Sequence, residues 1–445
     1  MKRYERYKSS NVEWIGEIPE HWQTIKIKYS TYVKGRVGWN GLTSSEFLID
    51  GYSYLVTGTD FKDGFVDWEK CYYIDQERYE VDPFIQLKEN DLLITKDGTI
   101  GKTALVKNLD KPACLNSGIF VTRPLNGVYI TPFMYWILNS FEFKKFFDFT
   151  SRGSTILHLY QNVFEDFIFA YPDIDEQKLI ANYLDKKTTE IEELIADKVN
   201  LISLLEQEKE LTISNAVTKG LNPNVSIKDS KVKWIGEIPE QWSLRKISHS
   251  FNTIGSGTTP LTSNSAYYTN GTIPWINTGD LNNDYLLDVN KTVSTFAVED
   301  NSALKIYPKY SLVIAMYGAT IGKIGITTFD ACVNQACCVL AESDYFTLRY
   351  IYYWFIANKK YIIDLGYGGG QPNISQEIIK SLRIPCPLIE EQEQIVEYLD
   401  KKIAETNETV QIIKDEIELL KEYKETLIYE VITGKIDVRG WNETH

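Results

Sequence analysis

A chain of 445 residues, 43% hydrophobic and 13% aromatic, is too long for one core and fits two domains with connecting elements. No apolar run approaches a membrane span, and Met1-Lys2-Arg3-Tyr4 leads into polar sequence, so a cytoplasmic protein without a signal peptide is expected. The net charge of −14 excludes a uniformly basic nucleic-acid coat, but that charge is concentrated. Residues 174–219 hold 6 basic and 10 acidic side chains, and 389–433 hold 5 and 13. The stretches 23–173 (16 against 19) and 243–388 (11 against 10) are nearly neutral, so the acidity does not exclude DNA.

The first segment, Val12-Glu13-Trp14-Ile15-Gly16-Glu17-Ile18-Pro19-Glu20-His21-Trp22, returns as Val232-Lys233-Trp234-Ile235-Gly236-Glu237-Ile238-Pro239-Glu240-Gln241-Trp242. A second echo joins Glu176-Gln177, Tyr183-Leu184-Asp185-Lys186-Lys187 and Thr218 to Glu391-Gln392, Tyr398-Leu399-Asp400-Lys401-Lys402 and Thr433. The chain is two copies of one unit, so its task is performed twice. Trp14, Trp22, Trp234 and Trp242 are read as pins that hold each domain's first segment to its core or to a helix.

After the first echo, 23–173 mixes short apolar runs such as Asp91-Leu92-Leu93-Ile94-Thr95, turn signals such as Asp97-Gly98, and a helical pattern over Phe133–Leu138. From 174 to 220 a long helix is predicted, with Asp175 and Glu176 in its first turn and Gly220 beyond its last. Its seam runs through Ile195, Ile202, Leu205 and Lys209. Residues 221–388 repeat the mixed pattern, with the run Ser311-Leu312-Val313-Ile314-Ala315 and the turn Asn270-Gly271. A second helix over 389–433 carries the stronger seam, Val410, Ile413, Ile417, Leu420, Lys424 and Leu427, and 434–445 forms a tail. Lys209 and Lys424 hold equivalent seam positions, where a polar group sets register or snorkels to the rim. The reading is two α/β (α+β) domains joined by two long antiparallel coiled-coil helices about 60 Å long, related by a pseudo-two-fold.

The six cysteines (Cys71, Cys114, Cys332, Cys337, Cys338, Cys386) lack CxxC spacing and show no equivalents across the repeat, so they are read as buried free thiols. The four histidines are scattered, and no metal site is expected.

The Trp-Ile-Gly-Glu-Ile-Pro-Glu-x-Trp segment, the run Gly369 to Ser375, Ile384-Pro385-Cys386-Pro387 before Glu391-Gln392, and Ile432-Thr433-Gly434-Lys435-Ile436-Asp437-Val438-Arg439 form a distinctive set. With the order domain, helix, domain, helix, the chain resembles the specificity (S) subunit of type I restriction–modification enzymes over nearly its whole length. The resemblance implies a non-catalytic reader of a split DNA target, one half per target-recognition domain, with 1–173 and 221–388 as those domains. The helices would set the gap and dock two adenine-methyltransferase subunits, which use S-adenosylmethionine. Motor–nuclease subunits, which use ATP and Mg, would join them. No cofactor is expected on this chain. In the first half, Gly153-Ser154-Thr155-Ile156 stands where the family has a glycine-rich run, and Tyr171-Pro172-Asp173 stands for its Pro-x-Pro.

Rival chemistries fail residue by residue. A stand-alone adenine methyltransferase needs an Asn/Asp-Pro-Pro-aromatic element, and the chain has no Pro-Pro. Gly366-Tyr367-Gly368-Gly369-Gly370 does not open a helix in a βαβ unit, and Gly101-Lys102-Thr103 has Lys96 where a P-loop needs glycine. Pro172-Asp173 with Glu176-x-Lys178 imitates a nuclease signature at too short a spacing. A coiled-coil scaffold with protein ligands only is the remaining alternative.

The repeated Gly-Thr-Ile-Gly-Lys element, Gly98 to Lys102 and Gly318 to Lys323, fits a close approach to phosphate, and equally a tight turn with a solvated lysine. Candidate DNA contacts in the first half are Lys34, Arg36, Lys96, Gly98, Thr99, Lys102, Arg152, Gln161 and Asn162. In the second half they are Ser256, Thr258, Thr259, Tyr317, Thr320, Lys323, Gln371 and Asn373. Asn and Gln pair with adenine, Arg and Lys with guanine, and Ser or Thr with phosphate or base.

Overall fold

The computed structural model describes residues 2–36, 41–150, 158–366 and 373–441. The chain divides into two compact units, Met1–Lys198 with Asp415–His445, and Val199–Lys414. Both boundaries fall inside long helices. The central helix, Ile174–Lys219, and the C-terminal helix, Ile389–Ile432, each contribute one part to each unit.

The first unit holds a six-stranded sheet in the order Thr31–Gly35, Ile119–Pro124, Leu92–Thr95, Thr103–Leu105, Phe65–Val66, Phe61–Lys62. It is antiparallel except where Thr103–Leu105 meets Phe65–Val66. A three-stranded sheet of Ala113–Leu115, Ser53–Val56 and Tyr72–Ile74 covers one face. Helices Thr131–Leu138 and Phe141–Thr150 cover the other. Alternate side chains therefore enter different cores. Leu92, Ile94 and Phe120 pack toward the helices, while Leu93, Ile119 and Val121 pack toward the small sheet. A strand buried on both faces needs apolar residues at every position, which is why Leu92-Leu93-Ile94 reads as an unbroken run.

The second unit has the same plan. Its larger sheet runs Thr253–Ser256, Cys337–Ala341, Leu312–Ala315, Ile324–Thr327, Tyr285–Leu286, and its smaller one Thr292–Val293, Ile273–Ile276, Cys332–Val333. Leu312 and Ile314 face the helix Leu348–Asp364, and Val313 and Ala315 face the other way. All six cysteines are free, five of them buried and Cys386 partly exposed. The expectation that none has an equivalent across the repeat is corrected. Cys114 pairs with Leu55 and Cys332 with Trp275 in matching parallel strands, within Ala113-Cys114-Leu115-Asn116 and Ala331-Cys332-Val333-Asn334. Only four residues carry that match, and the changing offset between the copies hides it.

Within each unit the two long helices run antiparallel. In the first, Lys198 Nζ reaches Glu416 Oε2 at 2.6 Å and Lys424 meets Glu192. In the second, Lys209 Nζ bonds Asn407 Oδ1 at 3.1 Å and also meets Glu206 of its own helix. The seam follows the predicted period. Val410, Ile413, Ile417 and Leu427 are buried, and Leu420 and Lys424 half-buried. Facing seam positions Ile195, Ile202, Leu205 and Lys209 are also half-buried, a looser seam on the central helix. The two seam lysines lay their stems along it and pair across the rim, interactions of about 0–1 kcal/mol that favour this register.

Each repeated tryptophan segment binds one helix start and one helix end. Trp22 is fully buried, and its Nε1 donates to Glu176 Oε1 at 3.0 Å in the first turn of the central helix. Its ring lies over Gly434, where the C-terminal helix stops, and a Cβ on Gly434 would sit 2.4 Å from Pro19 Cδ. In the second unit Trp242 Nε1 donates to Glu391 Oε2 at 3.0 Å, and Gly220 lies against its ring. The adjacent glutamines complete each joint. Gln177 accepts from Ile130 N and donates to Val128 O and Pro172 O, and Gln392 accepts from Thr347 N and donates to Tyr345 O and Pro387 O. About two turns further on, Asp185 accepts from Trp136 Nε1 at 2.8 Å, and Asp400 from Arg349 and Tyr353. The tryptophan motifs thus pin the domains to the helices.

The two joints differ in one respect. Glu176 also accepts from Tyr4 Oη at 2.6 Å and pairs with His21 at 2.8 Å, whereas Glu391 holds the Trp242 indole. Glu176→Ala leaves two buried donors, Tyr4 Oη and Trp22 Nε1, unpaired and should cost about 3 kcal/mol, against about 1–2 kcal/mol for Glu391→Ala, which strands one. Thermal unfolding of the two full-length variants measures the difference, and equal shifts would contradict it.

Candidate nucleic-acid interface

The Gly-Thr-Ile-Gly-Lys elements are hairpin loops at corresponding places in the two larger sheets. In the first unit, 96–102 link Leu92–Thr95 to Thr103–Leu105, closed by Thr95 N to Lys102 O at 2.9 Å and Gly101 N to Thr95 O at 2.9 Å. In the second, 316–323 link Leu312–Ala315 to Ile324–Thr327, closed by Ala315 N to Lys323 O at 2.8 Å and Gly322 N to Ala315 O at 2.9 Å. Gly98 and Gly318, at φ +69° and +81°, make the left-handed step that side chains other than glycine disfavour. The second loop is one residue longer, with Ala319 inserted.

Each hairpin is strapped to two neighbouring segments. Lys96 N donates to Gly118 O and Leu159 N to Lys96 O, and Met316 N donates to Ala336 O and Ile374 N to Met316 O. Behind them, Asn116 N bonds Val56 O and Asn334 N bonds Ile276 O. The loops after Val56 and Ile276 are set by matching capping boxes, Thr57 with Asp60 and Asn277 with Asp280. Four loops therefore converge in each unit, a platform built twice on one backbone plan.

The side chains on that backbone differ. In the first unit Lys34, Gly98, Thr99 and Asn162 are exposed. Lys96 is half-buried and pairs with Asp97 at 3.3 Å. Arg36 is corrected: it is 3% exposed, and its guanidinium donates to Leu115 O at 2.9 Å and to Cys114 Sγ, so it holds the inner sheet rather than a ligand. Gln161 spends its amide on Val33 O at 3.2 Å and Glu165 Oε1 at 2.7 Å. Gln376 repeats that tie, to Ile254 O at 3.5 Å, which marks both glutamines as fasteners of a short helix to the edge strand. Lys102 is also placed elsewhere than expected, its Nζ donating to Phe61 O at 2.6 Å. Arg152 lies outside the described residues.

In the second unit, Thr259 Oγ1 is exposed and donates to Gln335 Oε1 at 2.6 Å. Ser256 and Thr258 are half-buried, and their carbonyls accept from Tyr307 Oη and Trp275 Nε1. Tyr317 bridges exposed Asn373 through the backbone, and burial raises its phenol above the ordinary range. Thr320 and Lys323 are half-buried in the hairpin, and the Lys323 ammonium has no partner among the described residues. Gln371 lies outside the described residues.

Sequence reasoning missed His158, which it weighed only as a metal ligand, and Lys359, whose Cε packs beside Gly322 from the helix Leu348–Asp364. The turns at 116–118 and 334–336 were also missed, although both open on Asn. Among the described residues no group of His, Cys, Asp or Glu could hold a metal ion. No helix described is long and apolar enough to cross a membrane.

A profile of the type I restriction modification DNA specificity domain matches residues 48–201 and 239–419. The chain is 26% identical over 453 residues to the type I restriction enzyme MjaVIII specificity subunit of Methanocaldococcus jannaschii, covering 98% of each. A solved chain from work on complex assembly and conformational transition of the type I R-M system superposes with TM-score 0.72 at 14% identity, over 94% of this chain and 99% of that one. The HsdS subunit from Thermoanaerobacter tengcongensis gives 0.60 at 14% identity, over 94% and 98%. With two copies of the domain matched and one fold shared end to end, the chain belongs to the type I restriction–modification DNA specificity family, whose part is target recognition rather than catalysis.

Proposed function

We propose that each unit reads one half of a split DNA target, through the platform formed by its hairpin and the three loops strapped around it. The observation that carries this is the duplication of that platform with different side chains: Lys96 and Asp97 in one unit, Met316 and Tyr317 in the other. A shared backbone with unlike side chains suits two different base sequences presented by the same kind of groove. The antiparallel helices would fix the number of unread base pairs between the halves. Their outer faces would dock two methyltransferase subunits, which bring S-adenosylmethionine and flip the target adenine. Motor–nuclease subunits, with ATP and Mg, would join through them in the cytoplasm, and this chain would bind no cofactor.

Removing one heptad from each long helix shortens the pair by about 10 Å, the rise of about three base pairs. The gap in the recognised sequence should shrink accordingly while both half-sites keep their identity, as read by selecting bound duplexes from a random pool. Altered half-sites with an unchanged gap would refute the assignment.

The two hairpin lysines should now behave differently. Lys323→Ala should weaken binding and reduce the salt slope by about one. Lys102→Ala should leave the slope unchanged and lower the melting temperature instead, since its ammonium is bound to Phe61 O. A matching fall in slope for both variants would show that the Phe61 contact yields to phosphate.

A further inference from the structure

The strap between the hairpin and the following short helix has the same backbone in both units, but its side chains are not alike. Leu159 N to Lys96 O and Ile374 N to Met316 O put His158 and Asn373 at equivalent places, each beside the hairpin's first turn. Asn373 is exposed and pairs with Tyr317 through the backbone alone, which leaves its amide to meet a base. His158 is held by its side chain. Its Nδ1 meets Asp97 Oδ1, and its ring lies 4.5 Å from that of Tyr160, itself 56% exposed.

An ionised carboxylate only accepts, so the bond to Asp97 puts a proton on Nδ1 and leaves Nε2 as the free end of the ring. That nitrogen has no partner among the described residues, and the side chain keeps 24% of its surface exposed. The charged groups facing it are Asp97 and, through Asp97, Lys96 at 3.3 Å. A carboxylate in this position repels phosphate, and the Lys96 ammonium beside it is already paired with it. The site is thus ill suited to the DNA backbone. It suits a base edge, which carries hydrogen-bonding groups and no net charge.

We propose that His158, oriented by Asp97, is a base-reading side chain of the first domain, the counterpart of Asn373 in the second. The inference rests on the reading that each unit recognises its own half-site. Asp97 is a positioning residue, fixing tautomer and ring direction in the way a second carboxylate orients a ligating histidine.

The test uses the full-length chain and duplexes carrying its selected target, together with every single-base variant of either half. His158→Ala should lower discrimination at one base pair of the first half by about tenfold, with the second half read as before. Asp97→Asn should give a smaller loss at that same base pair. His158→Asn, which copies the second domain, should alter the preferred base there rather than abolish preference. An even loss of affinity across all variants, with the salt slope reduced by about one, would overturn the proposal in favour of phosphate contact. Unchanged discrimination in all three variants would also overturn it. Intact reading of the second half serves as the control for folding. If the unaltered chain selected no split sequence, the half-site reading would fail before His158 was tested.

Discussion

The structure depends on a buried indole donating to a carboxylate in the first turn of a long helix. Trp22 and Glu176 make that bond in one unit and Trp242 and Glu391 in the other. Each indole also covers the glycine that ends the opposite helix, so one side chain joins a domain, a helix start and a helix end. A carboxylate 4% exposed would be expensive without donors, and Glu176 has three from Tyr4, His21 and Trp22. The helix N-terminus adds its own attraction for the negative charge. Beside it, a fully buried glutamine satisfies both ends of its amide on the backbone of the domain it carries. These joints account for the best-matched sequence in the two halves: it maintains the frame.

With the frame secured, the domains are free to diverge. Arg36 fills space under the first platform, and beyond the end of the matching edge strand Gly257 is pressed so closely that a Cβ would overlap Val333 O. Lys96 and Asp97 correspond to Met316 and Tyr317, and His158 corresponds to Asn373. None of these exchanges disturbs the hairpin closure or the strap, which run through main-chain groups. Backbone hydrogen bonds are indifferent to side-chain identity, so the platform keeps its shape while these side chains change.

How much could be read from sequence followed the range of the interactions. The helix seam was legible because a repeat of three and four residues is local: Val410, Ile413 and Ile417 announce a buried stripe without reference to anything distant. Doubly buried strands were legible from runs such as Leu312-Val313-Ile314 for the same reason. Arg36 and Gln161 were misjudged because their partners, Leu115 and Val33, are far along the chain, and a polar residue facing a carbonyl looks the same in sequence as one facing solvent. Lys102 fell to the same ambiguity through Phe61. The equivalence of Cys114 and Cys332 was hidden by a drifting offset and revealed only by strand register. His158 carried no signal beyond its identity until Asp97 was placed beside it.

We propose that one chain reads two separate stretches of duplex at a fixed interval. Mapping methylated adenines across the host's DNA, with and without this gene, tests it most directly. The expected result is a two-part motif, separated by a constant number of unspecified bases, whose methylation disappears when the gene is removed. A single uninterrupted motif, or methylation unchanged by the removal, would contradict it.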